Sequence, residues 1–215
     1  MGGSPKDWLV TSADQLAWDA YTLPRAQDRF APGSVVIDVG CGDGRDLRQL
    51  AQQGGVAIGL DVDPGALADC RRANLPVVLA MAEHMPLRTT VFDGLLCNVA
   101  IPYTDESQVM REIGRILKPG ARGYLCYHGF GYFLRYVLAG PNFRVRLYGL
   151  RSMLNTGYYR LTGNRLSGFW GDTLYQTHRR LLKYYRRDGL KLVESRTGKK
   201  FLGLTVFIYH VIEKV

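Results

Sequence analysis

Val35-Val36-Ile37-Asp38-Val39-Gly40-Cys41-Gly42-Asp43-Gly44 is an apolar, β-branched run that stops in three alternating glycines. Such a run reads as a strand buried on both faces. The glycines read as a tight strand-to-helix turn, where missing Cβ atoms permit positive φ and the close approach of a ligand. Residues 45–53 follow at once as an amphipathic helix, with Leu47, Leu50 and Ala51 as its apolar stripe. The first N–H groups of that helix have no partner within it and point back into the turn. A corner of this kind cradles part of a nucleotide-like ligand.

Working outward, further strands are expected at 56–60, 76–80, 93–97 and 123–127, with helices at 64–73 and 109–117 between them. Pro64 suits a first helical position, and Lys118-Pro119-Gly120 closes the second of these helices. Upstream, Ser12-Ala13-Asp14-Gln15 has capping-box spacing and predicts a helix running to about residue 30. Strands alternating with helices at this pace imply a parallel sheet covered on both faces. Right-handed connections then leave a doubly wound α/β topology.

Residues 129–188 differ: they hold 11 Lys/Arg, 2 Asp/Glu and 13 of the 24 aromatic side chains. That stretch is too long for a connector and too apolar for disorder. It reads as a helical insertion or cap, with helices at 130–138, at 143–154 ending near Asn155-Thr156-Gly157, and at 173–187. Residues 190–194 and 201–212 read as two strands joined by Thr197-Gly198-Lys199-Lys200, a hairpin at the sheet edge. The expectation is one domain: an N-terminal helical segment (1–33), a ligand-binding core (34–128), a substrate cap (129–188) and a C-terminal hairpin (189–215). Its sheet has seven strands, mostly parallel, with the helical insertion between the fifth and sixth.

At 215 residues, with 47% hydrophobic and 22% charged side chains, the composition is that of an ordinary globular chain. No apolar run approaches the ~20 residues of a membrane span, and the first residues lack the apolar core of a secretory signal. Cys41, Cys70, Cys97 and Cys126 form no C-x-x-C pair, so no metal set is spelled out and reduced thiols in a cytoplasmic protein are expected. The net charge of +9 is unevenly placed: residues 1–108 carry 8 Lys/Arg against 14 Asp/Glu, residues 109–215 carry 20 against 5. A basic field attracts nucleic acid, an anionic membrane or an acidic small molecule, and a merely solvated basic surface is the competing reading.

Asp61, at the end of the second strand, lies 21 residues past Gly40. A carboxylate there can accept hydrogen bonds from both hydroxyls of a ribose. The glycine spacing is G-x-G-x-G, not the G-x-G-x-x-G of dinucleotide binders, and no G-x-x-x-x-G-K-[ST] is present. This argues against a P-loop nucleotide hydrolase.

Asp38 to Gly44 resembles the first motif of class I S-adenosylmethionine-dependent methyltransferases, and Asp61 resembles that family's ribose-binding acid. Ala82-Glu83-His84-Met85-Pro86-Leu87 with Phe92-Asp93, and residues 112–121, resemble the branch containing the ubiquinone and menaquinone methyltransferases. The resemblance covers about residues 34–128. It implies a Rossmann-like fold and S-adenosyl-L-methionine as cofactor, with S-adenosyl-L-homocysteine as product. It implies that Gly40, Cys41 and Gly42 pack on the methionine part, with Asp38 near the amino group. The family's adenine-binding acid falls on Met81, a departure; Ala82 then supplies an N–H and Glu83 stands in for the acid. Asn98 is expected beneath the sulfonium.

A sulfonium methyl is already activated, so transfer needs alignment and a deprotonated nucleophile. His128, after the fifth strand, is the candidate base for a hydroxyl acceptor; a hydrogen-bonding histidine at a strand end is the alternative. Tyr103 and Tyr132 are placed in the acceptor pocket, and Tyr21 over the cofactor from the N-terminal helix. His178 and His210 read as structural. The leading expectation is a small-molecule methyltransferase acting on oxygen in an acidic, aromatic or lipid-like acceptor. An RNA methyltransferase using the basic 129–188 segment is the alternative, and no RNA-binding module accompanies it. A third reading is a non-enzymatic binding protein that keeps the fold without transferring methyl, against which the intact Gly40, Gly42, Gly44 and Asp61 argue. A fourth modifies the first and rests residues 130–138 and 143–154 on an anionic membrane, their arginines flanking apolar residues.

Overall fold

The computed structural model of the protein describes residues 30–52 and 54–215. The helix expected before residue 30, and Tyr21 on it, lie outside the described residues. Val35–Val39 forms β1, Arg45–Ala51 α1, Val56–Asp61 β2, Pro64–Arg72 α2, and Val77–Leu79 β3. Phe92–Asn98 forms β4, Glu106–Ile116 α3, and Leu117–His128 β5. Three helices follow: Phe130–Ala139 is α4, Phe143–Thr162 α5, and His178–Arg187 α6. Leu190–Thr197 is β6, and Phe207–Lys214 is β9, with the short pair Lys200–Phe201 (β7) and Leu204–Thr205 (β8) between them.

The main sheet has seven strands in the order β3-β2-β1-β4-β5-β9-β6. β1 pairs in parallel with β2 and with β4, β2 with β3, and β4 with β5; β9 runs antiparallel to both β5 and β6. This is the doubly wound, mostly parallel sheet expected, with the helical excursion α4–α6 between β5 and β6. The strand order reverses between β1 and β4, which opens a crevice at their carboxyl ends.

Neighbouring residues on each central strand serve opposite layers. Ile37, Leu95 and Tyr127 pack against α3 and α6, while Val36 and Leu96 pack against Leu47, Leu50 and Leu67 of α1 and α2. Continuous apolar runs are what two buried faces require. Local caps fix where the helices start. Asp63 accepts from Gly65 N (2.8 Å) and Ala66 N ahead of Pro64 as first helical residue. Asp105 accepts from Ser107 N and Gln108 N at the start of α3.

Several expected boundaries move. β5 begins at Leu117, which pairs with Phe92 across a register shift, so Lys118-Pro119-Gly120 lies within the strand rather than closing a helix. α5 runs through Asn155-Thr156-Gly157 to Thr162 and stops at Gly163 (φ 76°). The helix breakers are overruled because their side chains hold the returning chain. Asn155 donates to Thr173 O and accepts from Leu166 N, and Thr156 accepts from Tyr175 N. Residues 173–177 are extended, not helical: Leu174 N donates to Pro102 O and Gln176 N to His128 O at 2.8 Å. In the C-terminal pair the second strand starts at Phe207; the residues before it turn through Leu202 and Gly203, both with positive φ.

Candidate functional site

The glycine turn leaves β1 and is pinned to the next strand. Gly40 N and Cys41 N both donate to Leu60 O. Gly40, Gly42 and Gly44 all have positive φ, the conformation that glycine adopts without steric cost. A Cβ on Gly40 would sit 2.3 Å from Ala100 Cβ. Gly40 therefore lets the loop after β4 close onto the turn. The Cys41 side chain turns inward to the α1/α2 layer, and burial pushes its thiol pKa up. What Cys41 offers a ligand is its backbone. All four cysteines are buried free thiols.

Asp61, 7% exposed, ends β2 facing the turn. Its Oδ2 accepts from Gly42 N at 2.9 Å and its Oδ1 from Asp63 N at 3.0 Å. Two backbone donors thus fix the carboxylate, and each oxygen keeps acceptor capacity for a further hydrogen bond.

Two cavities meet at Gly40 and Asn98, which line both. The larger, about 580 Å³, runs from Leu60, Asp61, Val62, Met81, Ala82 and Glu83 at one end to Tyr103, His128, Tyr132 and Tyr136 at the other. The smaller, about 240 Å³, is polar and lined by Asp38, Cys41, Asp43, Arg45 and Asp46 besides the shared pair. Strand ends supply the central residues: Asp61 from β2, Asn98 from β4, His128 from β5. Glu83 is partly committed, since its Oε1 accepts from Asp105 N at 2.8 Å and braces the cap of α3.

The far end is an aromatic cage. His128 stacks on Tyr132 with ring centroids 3.7 Å apart and planes at 10°. Tyr103 meets it edge-on at 6.3 Å, and Phe133 at 5.5 Å. Tyr132 and Tyr136 share a hydroxyl hydrogen bond of 2.9 Å, and Tyr148 OH bonds Thr173 Oγ1 at 2.9 Å. His128 is 1% exposed, and neither ring nitrogen has a hydrogen-bond partner among the described residues. Burial, and then the Arg135 guanidinium, push its pKa down to about 3. The ring is neutral at physiological pH.

His210 and His178 stand elsewhere. His210 Nε2 lies 3.1 Å from His178 Nδ1, and His210 Nδ1 lies 2.8 Å from Tyr185 OH, which meets Tyr127 OH at 2.8 Å. This chain ties α6 to the sheet.

The site gathers Asp38, Gly40, Cys41, Asp61, Met81, Ala82, Glu83, Asn98, Tyr103, His128 and Tyr132 around the two connected cavities; Gly42 lines neither and meets the site through its N–H to Asp61. Sequence reasoning missed Arg45 and Asp46 in the polar cavity, Val62 beside Asp61, and Tyr136 in the cage. Arg45 was findable as the residue directly after the last glycine. Tyr136 was findable as the residue one helical turn beyond Tyr132.

The residues present fit S-adenosylmethionine. A braced carboxylate suits the ribose hydroxyls, and the apolar wall at Leu60, Val62, Met81 and Ala82 suits a purine. The second cavity carries three acids and one arginine, which suits an ammonium, a carboxylate and a neighbouring sulfonium.

Known proteins match this picture. A methyltransferase-domain family model matches residues 37–125. A demethylmenaquinone methyltransferase from Symbiobacterium thermophilum is 35% identical over 133 residues, 54% of this chain and 50% of that one. One of the same description from Corynebacterium kroppenstedtii is 28% identical over 119 residues, 55% and 51% of the two chains. This chain spans about half the length of those curated relatives. The crystal structure of an S-adenosylmethionine-dependent methyltransferase from Mesorhizobium loti superposes with a TM-score of 0.65 at 18% identity, covering 94% of this chain and 98% of that one. Among the described residues, no helix is long and apolar enough to cross a membrane. Residues 37–125 thus match a methyltransferase domain, the chain resembles the demethylmenaquinone methyltransferases, and its fold is that of S-adenosylmethionine-dependent methyltransferases.

Proposed function

We propose that this protein transfers the methyl group of S-adenosylmethionine to a hydroxyl of a flat, aromatic or lipid-like small molecule bound in the tyrosine cage. The observation that carries the reading is His128: a buried imidazole with no hydrogen-bond partner among the described residues, lining the same cavity as the braced Asp61. A buried polar group left unsatisfied is costly unless a ligand completes it.

When bound, S-adenosylmethionine supplies a sulfonium methyl activated for in-line displacement. In this reading Asp61 holds the ribose hydroxyls, and Met81, Ala82 and Glu83 flank the base. Asp38 and Arg45 hold the amino and carboxylate ends, and Asn98 stands between the two cavities. Tyr103, Tyr132 and Tyr136 sandwich the acceptor and exclude water. His128, held neutral by burial, accepts a hydrogen bond from the acceptor hydroxyl and orients its oxygen lone pair along the transfer line. A pKa near 3 makes it a weak base toward a resting hydroxyl. A hydroxyl oxygen that has begun to bond carbon is far more acidic, so His128 takes the proton late, as transfer proceeds.

Internal use of the arginines favours a small acceptor over RNA. Arg151 bonds Phe169 O and Asp172, Arg165 bonds the carbonyls of Pro102, Thr104 and Asp172, and Arg180 pairs with buried Glu106 at 2.5 Å. These cations brace the excursion and do not face phosphates.

The test is a methyl-acceptor screen with labelled cofactor, comparing hydroxylated aromatics and hydroxyquinones with transfer RNA. Label on oxygen, lost in His128→Phe while S-adenosylhomocysteine still binds, is the expected result. Label on RNA, or on carbon or nitrogen alone, overturns it.

A further inference from the structure

We infer that the outer face of α5 is a docking surface for an anionic lipid bilayer. Phe143, Leu147, Leu150, Leu154, Tyr158 and Leu161 follow one another at three- and four-residue steps along this 20-residue helix. At about 100° per residue they fall on one stripe. Five of the six are exposed, Phe143 to 76% and Leu161 to 88%. Val145, Tyr148, Ser152, Asn155 and Thr156 are buried and lie on the opposite side. The helix is therefore amphipathic twice over: its inner side is packed, and its outer side is apolar where a solvated helix would be polar.

Adjacent features extend the surface. Leu138 at the end of α4 is exposed, as are Phe169 and Trp170 in the turn packed against α5. A tryptophan beside an apolar stripe and a tyrosine within it suit the boundary between headgroups and acyl chains.

Charge selects the occupant. The 59 residues from Ile113 to Gly171 contain nine Lys or Arg and no Asp or Glu. Arg144, Arg146 and Arg160 are exposed and flank the stripe on both sides. A purely apolar partner would leave these cations desolvated, and an acidic protein groove would need its charges spread along some five turns of helix. An anionic bilayer satisfies both demands: acyl chains for the stripe and phosphate headgroups for the arginines. The geometry also relates this surface to the cavity. Tyr148, on the inner side of the same helix, meets Tyr103 and Tyr136 of the cage. Docking would set the aromatic cage one helix diameter from the lipid. The inference stands apart from the methyl-transfer reading, because vesicle binding needs neither cofactor nor acceptor.

The test is co-sedimentation of the full chain with vesicles of phosphatidylcholine alone or with about a third phosphatidylglycerol. The expected result is pelleting with the anionic vesicles that weakens with salt. The Leu150→Glu/Leu154→Glu double variant should lower it at least about tenfold, since its apolar contact is lost. Arg144→Gln/Arg160→Gln should remove most of the salt dependence. Both pairs are exposed, and an unchanged melting temperature with intact S-adenosylhomocysteine binding shows that the fold has held. Failure to pellet with anionic vesicles overturns the inference, as does equal pelleting of the Leu150→Glu/Leu154→Glu chain. So does a doubled mass in light scattering that this variant returns to a single chain, which assigns the face to a second copy. RNA binding lost in the same variant overturns it in favour of nucleic acid.

Discussion

Replacing Asp61 with alanine removes two kinds of interaction at once, and the structure predicts how to separate them. The carboxylate braces the glycine turn through Gly42 N (2.9 Å) and Asp63 N (3.0 Å). In the proposed complex it also accepts from two ribose hydroxyls. Losing two charge-assisted bonds at about 1.5–3 kcal/mol each weakens cofactor binding by roughly two to four decades. Two backbone donors that lose their partner cost about 1–3 kcal/mol of stability, softened because water reaches the turn. At ~2–4 °C per kcal/mol for a domain of this size, the melting temperature falls by several degrees. Calorimetric titration with S-adenosylhomocysteine and a thermal melt measure the two effects. A cofactor analogue lacking the ribose hydroxyls closes the cycle: it should bind the parent weakly and lose little more on Asp61→Ala. Equal loss of the analogue and the natural nucleoside on mutation would mean that Asp61 only braces the turn, and the ribose assignment would fall.

Three further outcomes follow from the same structure. His128 and His210 are held neutral, at pKa values of about 3 and about 4, chiefly by burial. Unfolded, both titrate near 6.5. Between about pH 6.5 and pH 4 the unfolded chain therefore binds more protons, and stability falls with falling pH by up to ~2.7 kcal/mol per pH unit. Urea midpoints at pH 7 and pH 5 measure this slope, and His128→Phe should flatten it by about half; an unchanged slope would mean His128 titrates normally in the fold. Gly40→Ala places a Cβ 2.3 Å from Ala100 Cβ at φ 78°, so cofactor binding and stability should drop together. Full retention of both, by the same titration and melt, would mean that the Ala100 loop yields freely. Glu106→Ala strands Arg180, whose partner at 2.5 Å is fully buried, and should cost about 3–5 kcal/mol in denaturant unfolding. A loss under about 1 kcal/mol would mean that the guanidinium finds water instead.

The parallel half of the sheet was legible because its information is local. Val35 to Val39, Asp38 apart, and Val56 to Leu60 are β-branched, apolar or glycine, as two buried faces demand, and three glycines mark the turn between them. The place of Asp61 beside the glycine turn was legible because it depends on a fixed offset along one crossover. The excursion was not, because its boundaries are set by partners distant in sequence. Asn155-Thr156-Gly157 reads as a stop until Leu166, Thr173 and Tyr175 are seen bonded to those side chains. Residues 173–177 read as helix until Pro102 O and His128 O are seen claiming their N–H groups. The basic field of 129–188 likewise looked like surface, whereas Arg151, Arg165 and Arg180 are turned inward onto carbonyls and carboxylates. Charge counts along a chain do not distinguish a solvated guanidinium from one acting as an internal clasp.

The bond from Gln176 N to the carbonyl of His128 makes residues 129–175, with α4 and α5, a loop with a closed neck. Its two ends lie side by side at the carboxyl end of β5, so what lies between them can change length and shape while β5 keeps its place in the sheet. A graft of another excursion with similarly adjacent ends should leave the nucleoside half untouched. The chemistry would then stay on the scaffold while the choice of acceptor travelled with the transplanted piece.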